Sequence, residues 1–253
     1  MPRSKQEPLI KFYNDNSDLL EIGVDEAGRG PLFGRVYTAA VILPKEGDGN
    51  GCETEKRVFD YHKMKDSKKF TSSKKILEVA EHIKANALAW SVTYNDETTI
   101  DKINIRQSVL GSMHQSIKNV MDTYNNVDTC TNTDTDTDTG TGTNKDKEYF
   151  LLIDGNDFKP YLRFQDDHFI QVHHTCIEGG DNKYCAIAAA SILAKTERDK
   201  YIEELCEEHP ELKEKYGLEK NKGYGTKQHL DGIKEHGISK WHRKTYGICK
   251  EYC

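Results

Sequence analysis

The stretch "YCAIAAASILAK", Tyr184 to Lys195, limits what this chain can fold into more than any other. Its residues favour a helix, and the apolar ones run all round it rather than along one stripe. Such a helix has no face to show to water, so it lies in a core with other layers packed about it. The pattern extends it from Asp181 to His209 as one long helix. The covering layers are legible elsewhere. "LLEIGVD" (Leu19 to Asp25), "RVYTAAVILP" (Arg35 to Pro44), "ALAWSVTYN" (Ala87 to Asn95), "YFLLIDG" (Tyr149 to Gly155) and "HFIQVHH" (His168 to His174) read as strands. Ile76, Leu77, Ala80, Ile83 and Ala87 fall at helical spacing behind an N-cap at Ser72 or Ser73. Thr99 to Tyr124 reads as another long helix, and Thr226 to Gly237 as one that a glycine ends. The order predicts an α/β fold with a mixed central sheet flanked by helices.

A chain of 253 residues can bury one sizeable core. No stretch approaches the roughly 20 apolar residues of a membrane helix, and "MPRSKQEPLIKFYND" lacks the apolar centre of a secretory signal. The expectation is a cytoplasmic protein. Seven cysteines at irregular spacing do not make a disulfide framework. His173, His174 and Cys176 lie close together, but without paired C-x-x-C knuckles they do not read as a zinc site. Asn125 to Glu148, "NNVDTCTNTDTDTDTGTGTNKDKE", is a Thr/Asp/Gly tract almost devoid of apolar residues and reads as a disordered insertion. A net charge of −6 argues against non-specific nucleic-acid binding, though a local basic face remains compatible with it.

Four acids stand out by position. Asp25 and Glu26 end the first strand, Asp154 ends "LLIDG", and Asp181 opens the long buried helix. Alone, each has an ordinary role: a solvated strand end, an Asx-turn, an N-cap. Together they matter more, because in an α/β sheet strand C-termini and helix N-termini gather at one edge, where ligands bind. Four carboxylates there repel one another and need cations. Oxygen ligands without thiolate or imidazole favour Mg²⁺ or Mn²⁺. Two such ions about 4 Å apart activate water and stabilise a leaving oxygen on a phosphodiester. Behind the first pair, Gly28 and Gly30 flank Arg29 in "GRG". Without side chains at the glycines, backbone groups can approach a ligand and hydrogen-bond a ribose 2′-hydroxyl, while Arg29 offers a phosphate contact. The turn is neither a P-loop nor G-x-G-x-x-G.

These residues resemble the ribonuclease HII family. The likeness rests on D-E-A-G-R-G-P (Asp25 to Pro31), D-S-K-K (Asp66 to Lys69) and I-D-G (Ile153 to Gly155). It continues in G-D with I-A-A-A-S-I-L-A-K and R-D (Gly180 and Asp181, Ile187 to Lys195, Arg198 and Asp199), K-G-Y-x-T-K-x-H-L (Lys222 to Leu230), and a late H-R (His242 and Arg243). The resemblance covers nearly all of the chain outside the insertion and the termini. It implies an RNase H-like fold over residues 18–205, after an N-terminal tail of residues 1–17, with a small helical substrate-binding region over 206–253. It implies an endoribonuclease that cuts the RNA strand of RNA–DNA hybrids, and also cuts 5′ of ribonucleotides embedded in duplex DNA, leaving 5′-phosphate and 3′-hydroxyl ends. Asp25, Glu26, Asp154 and Asp181 become the metal-binding catalytic acids, holding two Mg²⁺ or Mn²⁺ ions. Gly28, Arg29 and Gly30 become the 2′-hydroxyl reader, and Tyr224 the residue that stacks on the deoxyribose beside the ribonucleotide. Ser67, Lys68, Lys195 and Arg198 join the substrate face, with Lys222, Lys227, Arg243 and Lys244 nearby. A monomer is the family expectation.

The chain departs from the pattern where Gly179 replaces a common lysine, where Arg35 replaces a common proline, and in a longer stretch between Asp154 and Asp181. The competing readings are a catalytically silent hybrid binder and another nuclease on the same fold. All four acids argue against the first, since a pure binder gains nothing from mutual repulsion. The G-R-G and K-G-Y blocks argue against the second.

Overall fold

The computed structural model describes residues 8–16, 18–45, 59–131, 148–165 and 167–253. A five-stranded sheet forms the middle layer. Its strands are β1 (Leu19–Ala27), β2 (Val36–Ile42), β3 (Ala89–Asn95), β4 (Glu148–Asp154) and β7 (His173–Ile177), in the order β3-β2-β1-β4-β7. β1 pairs antiparallel with β2, and β2 with β3; β1 pairs parallel with β4, and β4 with β7. The sheet is therefore mixed, as expected. Every residue of β2 is buried, because helices cover both faces. Ala39 and Val41 face α1 (Ser73–Asn86) and α4 (Cys185–Glu208); Val36, Ala40 and Ile42 face α3 (Ile105–Thr131).

The apolar helix is α4, and Cys185 to Ala194 is buried throughout. Its approach to the sheet is set by Gly23. A Cβ there would fall 2.1 Å from the carbonyl carbon of Ala186, so strand and helix backbones touch. That contact, with alanines on the other side, brings the start of α4 down onto the ends of β1 and β4.

Beyond α4 lie α5 (Glu211–Tyr216), α6 (Leu218–Asn221), α7 (Lys227–His236) and a closing 3-10 turn at Gly247–Tyr252. Leu212, Tyr216, Leu218 and Ile233 pack with Phe33, Ile202 and Leu205 into a second core. Phe33 belongs to the glycine-turn segment, so this core ties the C-terminal helices to that turn. Thr226 caps α7 through the amide of His229, and Gly237 ends it.

Several boundaries differ from the sequence pattern. The helix expected from Thr99 to Tyr124 is two, α2 (Glu97–Ile103) and α3, because Asn104 adopts φ 67° and its side chain accepts from the amide of Gln107. Asp181 does not open α4. It lies in a 3-10 turn, Gly180–Asn182, after the left-handed Gly179, and α4 begins four residues later. The strand expected over His168 to His174 divides at Val172, whose side chain turns into the core. Its first half is β6 (His168–Gln171), paired with β5 (Leu162–Gln165) in a hairpin whose Phe164 and Phe169 are exposed; its second half opens β7. This hairpin lies within the stretch between Asp154 and Asp181. Of the expected tail, the described residues 8–16 pack: Ile10 exchanges backbone bonds with Lys183 and Cys185, and the amides of Tyr13 and Asn14 donate to Glu21. α4 runs past residue 205. Of the Thr/Asp tract, Asn125 to Thr131 continue α3 and Glu148 belongs to β4; residues 132–147 lie outside the described residues. The helix persists there because Asn125 accepts from the Tyr149 hydroxyl at 2.7 Å, tying its last turns to β4.

Candidate active site

β1 and β4 run parallel with Val24 opposite Ile153, so Asp25 and Asp154 follow side by side at the same sheet edge. The turn before α4 reaches the same place: the amide of Gly180 donates to Asp154 Oδ1 at 2.7 Å. Asp25 is 4% exposed and Asp181 5%. Three chain segments thus deliver acids to one edge, as strand ends and helix starts do in this class.

The electrostatics are those of crowded carboxylates. Burial, then repulsion from Glu26 and Asp154, pushes Asp25 well above the usual carboxylate range. Burial raises Glu26, with Asp154 adding to it and Arg29 opposing; their ion pair spans 3.5 Å. Burial and the charges of Asp154 and Asp66 raise Asp181, against the pull of Lys68. Lys68 Nζ lies 3.6 Å from Asp181 Oδ2, too far for a hydrogen bond, and that buried oxygen has no hydrogen-bond partner. An orphaned carboxylate oxygen among like charges suits a cation. The donors are all oxygens, which fits Mg²⁺ or Mn²⁺. Among the described residues no three His, Cys, Asp or Glu side chains are closed onto one point, the His173, His174 and Cys176 set included.

Asp25 is also anchored from behind. Ser191 hydrogen-bonds its carboxylate, and Ser67 Oγ lies 3.0 Å from Ser191 Oγ. Ser67 is buried, so the structure places it behind an acid and not on an outer substrate face. Ser191 escaped the sequence reading. Its signal is a lone hydroxyl in an otherwise apolar buried run.

The glycine turn sits beside this edge. Gly28 has φ 93°, and a Cβ on it would fall 2.3 Å from Arg198 Nε. Around Gly30 the nearest atom to such a Cβ is Tyr224 Cε1 at 3.9 Å, so the turn and Tyr224 are neighbours across 194 positions of sequence. Tyr224 is 52% exposed and Arg29 is exposed, both open to a ligand.

The basic residues divide. Lys68, Lys227 and Lys244 are exposed. Lys195 pairs with Asp199 at 2.8 Å and Lys222 with Glu203 at 2.6 Å. Arg198 and Arg243 are not on a surface at all. Arg198 is 3% exposed and donates to the carbonyl of Lys222; Arg243 is fully buried. Charge alone suggested a phosphate face, but Arg198 packs against Gly28 and donates to the Lys222 carbonyl, and Arg243 donates to the carbonyls of Gly28, Arg29, Gly34 and Arg35.

Comparison with known proteins decides the family. The ribonuclease HII family model matches residues 22–248. Ribonuclease HII of Bacteroides thetaiotaomicron is 38% identical over 233 residues, 92% of each chain. The chain belongs to the ribonuclease HII family. Ribonuclease HII of Cytophaga hutchinsonii is 34% identical over 238 residues, 94% of this chain and 93% of that one. Among solved structures, the ribonuclease H2 of Pyrococcus horikoshii superposes with a TM-score of 0.61 at 18% identity, covering 92% and 96% of the two chains. The ribonuclease HII solved with PCNA from Archaeoglobus fulgidus gives 0.57 at 19% identity, covering 90% and 95%. These two likenesses carry the fold, an RNase H-like mixed sheet with a helical C-terminal region. No helix among the described residues is long and apolar enough to cross a membrane.

Proposed function

We infer that this chain is a ribonuclease HII-type endoribonuclease whose chemistry is performed at the edge shared by Asp25, Glu26, Asp154 and Asp181. The observation that carries the reading is the parallel pairing of β1 with β4, which sets Asp25 beside Asp154, with Asp181 reached through the Gly180 amide. Family membership makes the enzyme a metal-dependent hydrolase of the RNA strand in RNA–DNA hybrids.

Asp25, Glu26, Asp154 and Asp181 would hold two divalent cations, Mg²⁺ or Mn²⁺, which would supply Lewis-acid chemistry: activation of a water for in-line attack and stabilisation of a departing 3′-oxygen. Their positive charge would offset the repulsion that raises Asp25, Glu26 and Asp181. Gly28 and Gly30 present bare backbone to a ribose 2′-hydroxyl, and Arg29 reaches a phosphate. Tyr224, 3.9 Å from the Cβ position of Gly30, lays its ring on the neighbouring deoxyribose. Lys68 lies close enough to Asp25, Asp154 and Asp181 for all three to raise its pKa, and contributes positive charge beside the scissile phosphate. Lys195 lines the duplex from α4. The same parts act on long hybrids and on single ribonucleotides in DNA, where cutting falls on the 5′ side and leaves 5′-phosphate and 3′-hydroxyl ends. We place substrate binding in the C-terminal region beyond α4 together with the glycine turn.

The test is a labelled DNA duplex carrying one ribonucleotide, incubated with Mg²⁺ or EDTA, with Asp154→Asn beside the natural protein. Asn keeps an oxygen for the Gly180 amide and removes the charge. Metal-dependent 5′ cutting that the variant loses supports the reading. Failure of folded protein to cut this duplex or a long hybrid, with Mg²⁺ or Mn²⁺, sinks it.

A further inference from the structure

His242 and Arg243 are adjacent, fully buried and outside the acid edge. Each reaches a different part of the proposed substrate reader. Arg243 makes four bonds to backbone carbonyls: Nε to Gly34 at 2.9 Å, Nη1 to Arg29 at 3.1 Å, and Nη2 to Gly28 at 2.6 Å and Arg35 at 3.2 Å. Among the described residues it forms no ion pair with a carboxylate, an expensive way to bury a guanidinium unless its planar fork is needed to hold those carbonyls in one arrangement. They are the carbonyls of the glycine turn.

His242 works through a second ring. Its Nδ1 lies 2.9 Å from the amide of Ser239, which can only donate, so Nδ1 is the acceptor and the proton sits on Nε2. That Nε2 meets His229 Nε2 at 3.0 Å, and His229 Nδ1 meets the carbonyl of Tyr224 at 3.0 Å. The Tyr224 carbonyl can only accept, so His229 carries its proton on Nδ1. With both rings neutral, one tautomeric pattern satisfies every contact: Ser239 donates to His242, His242 to His229, and His229 to Tyr224. The segment between is clamped as well. Leu32 donates to the Gly223 carbonyl at 2.9 Å, and Arg243 to the Leu32 carbonyl at 2.8 Å.

We propose that His229, His242 and Arg243 are positioning residues that fix the glycine turn and Tyr224 at one separation, and that this separation sets the preference for a ribonucleotide next to DNA over a long hybrid. The inference rests on the reading of Gly28, Arg29, Gly30 and Tyr224 given above. It asks nothing of the three side chains at the substrate itself. A long hybrid offers many ribose hydroxyls and no fixed junction, so it depends less on the distance between the two readers than an isolated ribonucleotide does.

The experiment compares kcat/KM on a duplex with one ribonucleotide and on a long hybrid, for the natural protein, Tyr224→Ala, His242→Asn, His242→Gln and Arg243→Lys. Circular dichroism and thermal unfolding establish that each variant is folded at the assay temperature. Asn keeps an acceptor for Ser239 but is too short to reach His229; Gln reaches it with a donor. The ratio of the two kcat/KM values is expected to fall about tenfold in Tyr224→Ala and in His242→Asn, as misplacement of a binding group does. Arg243→Lys lowers it in the same direction, His242→Gln restores it, and Tyr224→Ala combined with His242→Asn drops no further than either alone. If Tyr224→Ala lowers the ratio and folded His242→Asn and Arg243→Lys leave it unchanged, the positioning inference is wrong and the role of Tyr224 stands. If Tyr224→Ala leaves it unchanged, the role of Tyr224 falls and the inference with it.

Discussion

Acidification is expected to destabilise this protein through its buried imidazoles. Burial and the neighbouring His229 push His242 down to about 3, against the opposing bond from Ser239. In the unfolded chain the same ring titrates near 6.5. Above pH 6.5 it is neutral in both states and contributes no pH dependence. Below that, the unfolded chain takes up a proton the folded one refuses, and stability falls by ~1.4 kcal/mol per pH unit. At pH 5.0, about 1.5 units down, the loss from this ring is ~2 kcal/mol. Burial lowers His229 too, with the same sign. Asp25, Glu26 and Asp181 are raised, so their penalty is relieved as pH falls and they mask the effect in the natural protein. His242→Gln shares those carboxylates and lacks the imidazole, which makes it the reference. Urea unfolding at pH 7.5 and 5.0 gives the difference of differences. The natural protein is expected to lose ~2 kcal/mol more than the variant. Equal losses would refute the claim that this ring is kept neutral by its surroundings.

Gly28→Ala forces a side chain onto φ 93° and against Arg198, and is expected to cost ~1–3 kcal/mol and to lower single-ribonucleotide cutting, read from urea unfolding and the cleavage assay. Asp101 accepts from the amides of Lys244 and Thr245 and from the Thr245 hydroxyl; Asp101→Ala is expected to cost ~1–3 kcal/mol and to speed amide exchange at those two residues. Mg²⁺ at millimolar concentration is expected to raise the melting temperature of the natural protein and to raise that of Asp154→Asn far less, because binding to the folded state alone stabilises it; equal shifts would place the ion elsewhere.

The layering of the fold was written in residue types. The all-round apolar run of α4 demanded covering layers, and the strands that supply them carried strong β patterns over most of their length. What the pattern missed was decided by single side chains or by partners far along the chain. Asn104 splits a helix because its own amide caps the next one, a detail that apolar spacing does not carry. Val172 divides a strand because it turns inward while its neighbours stay in a surface hairpin. At the site, the four acids were legible because their residue type and their place at element ends coincide. Arg198 and Arg243 were misjudged because charge suggests solvent, whereas their partners are carbonyls of Lys222 and of the glycine turn, supplied by other segments of the chain. Ser191, His229 and His242 stand in the family blocks, but their hydrogen bonds were silent for the same reason: bonds between distant segments leave no spacing to read.

One of those reaches runs from Arg243 to Gly28, 215 positions apart. On the ribosome, the turn at residue 28 emerges early and its clasp emerges late. Until residue 243 emerges the turn has no guanidinium to bind its carbonyls, and Tyr224 has no relay behind it until residue 242 follows. Asp25 likewise waits for Asp154 and Asp181. A nascent chain that has not reached residue 181 therefore has neither all four acids nor a clasped glycine turn. The four acids are all present once residue 181 has emerged and the clasp only once residue 243 has, so a chain stopped between the two keeps the acids and lacks the bonds that hold the turn.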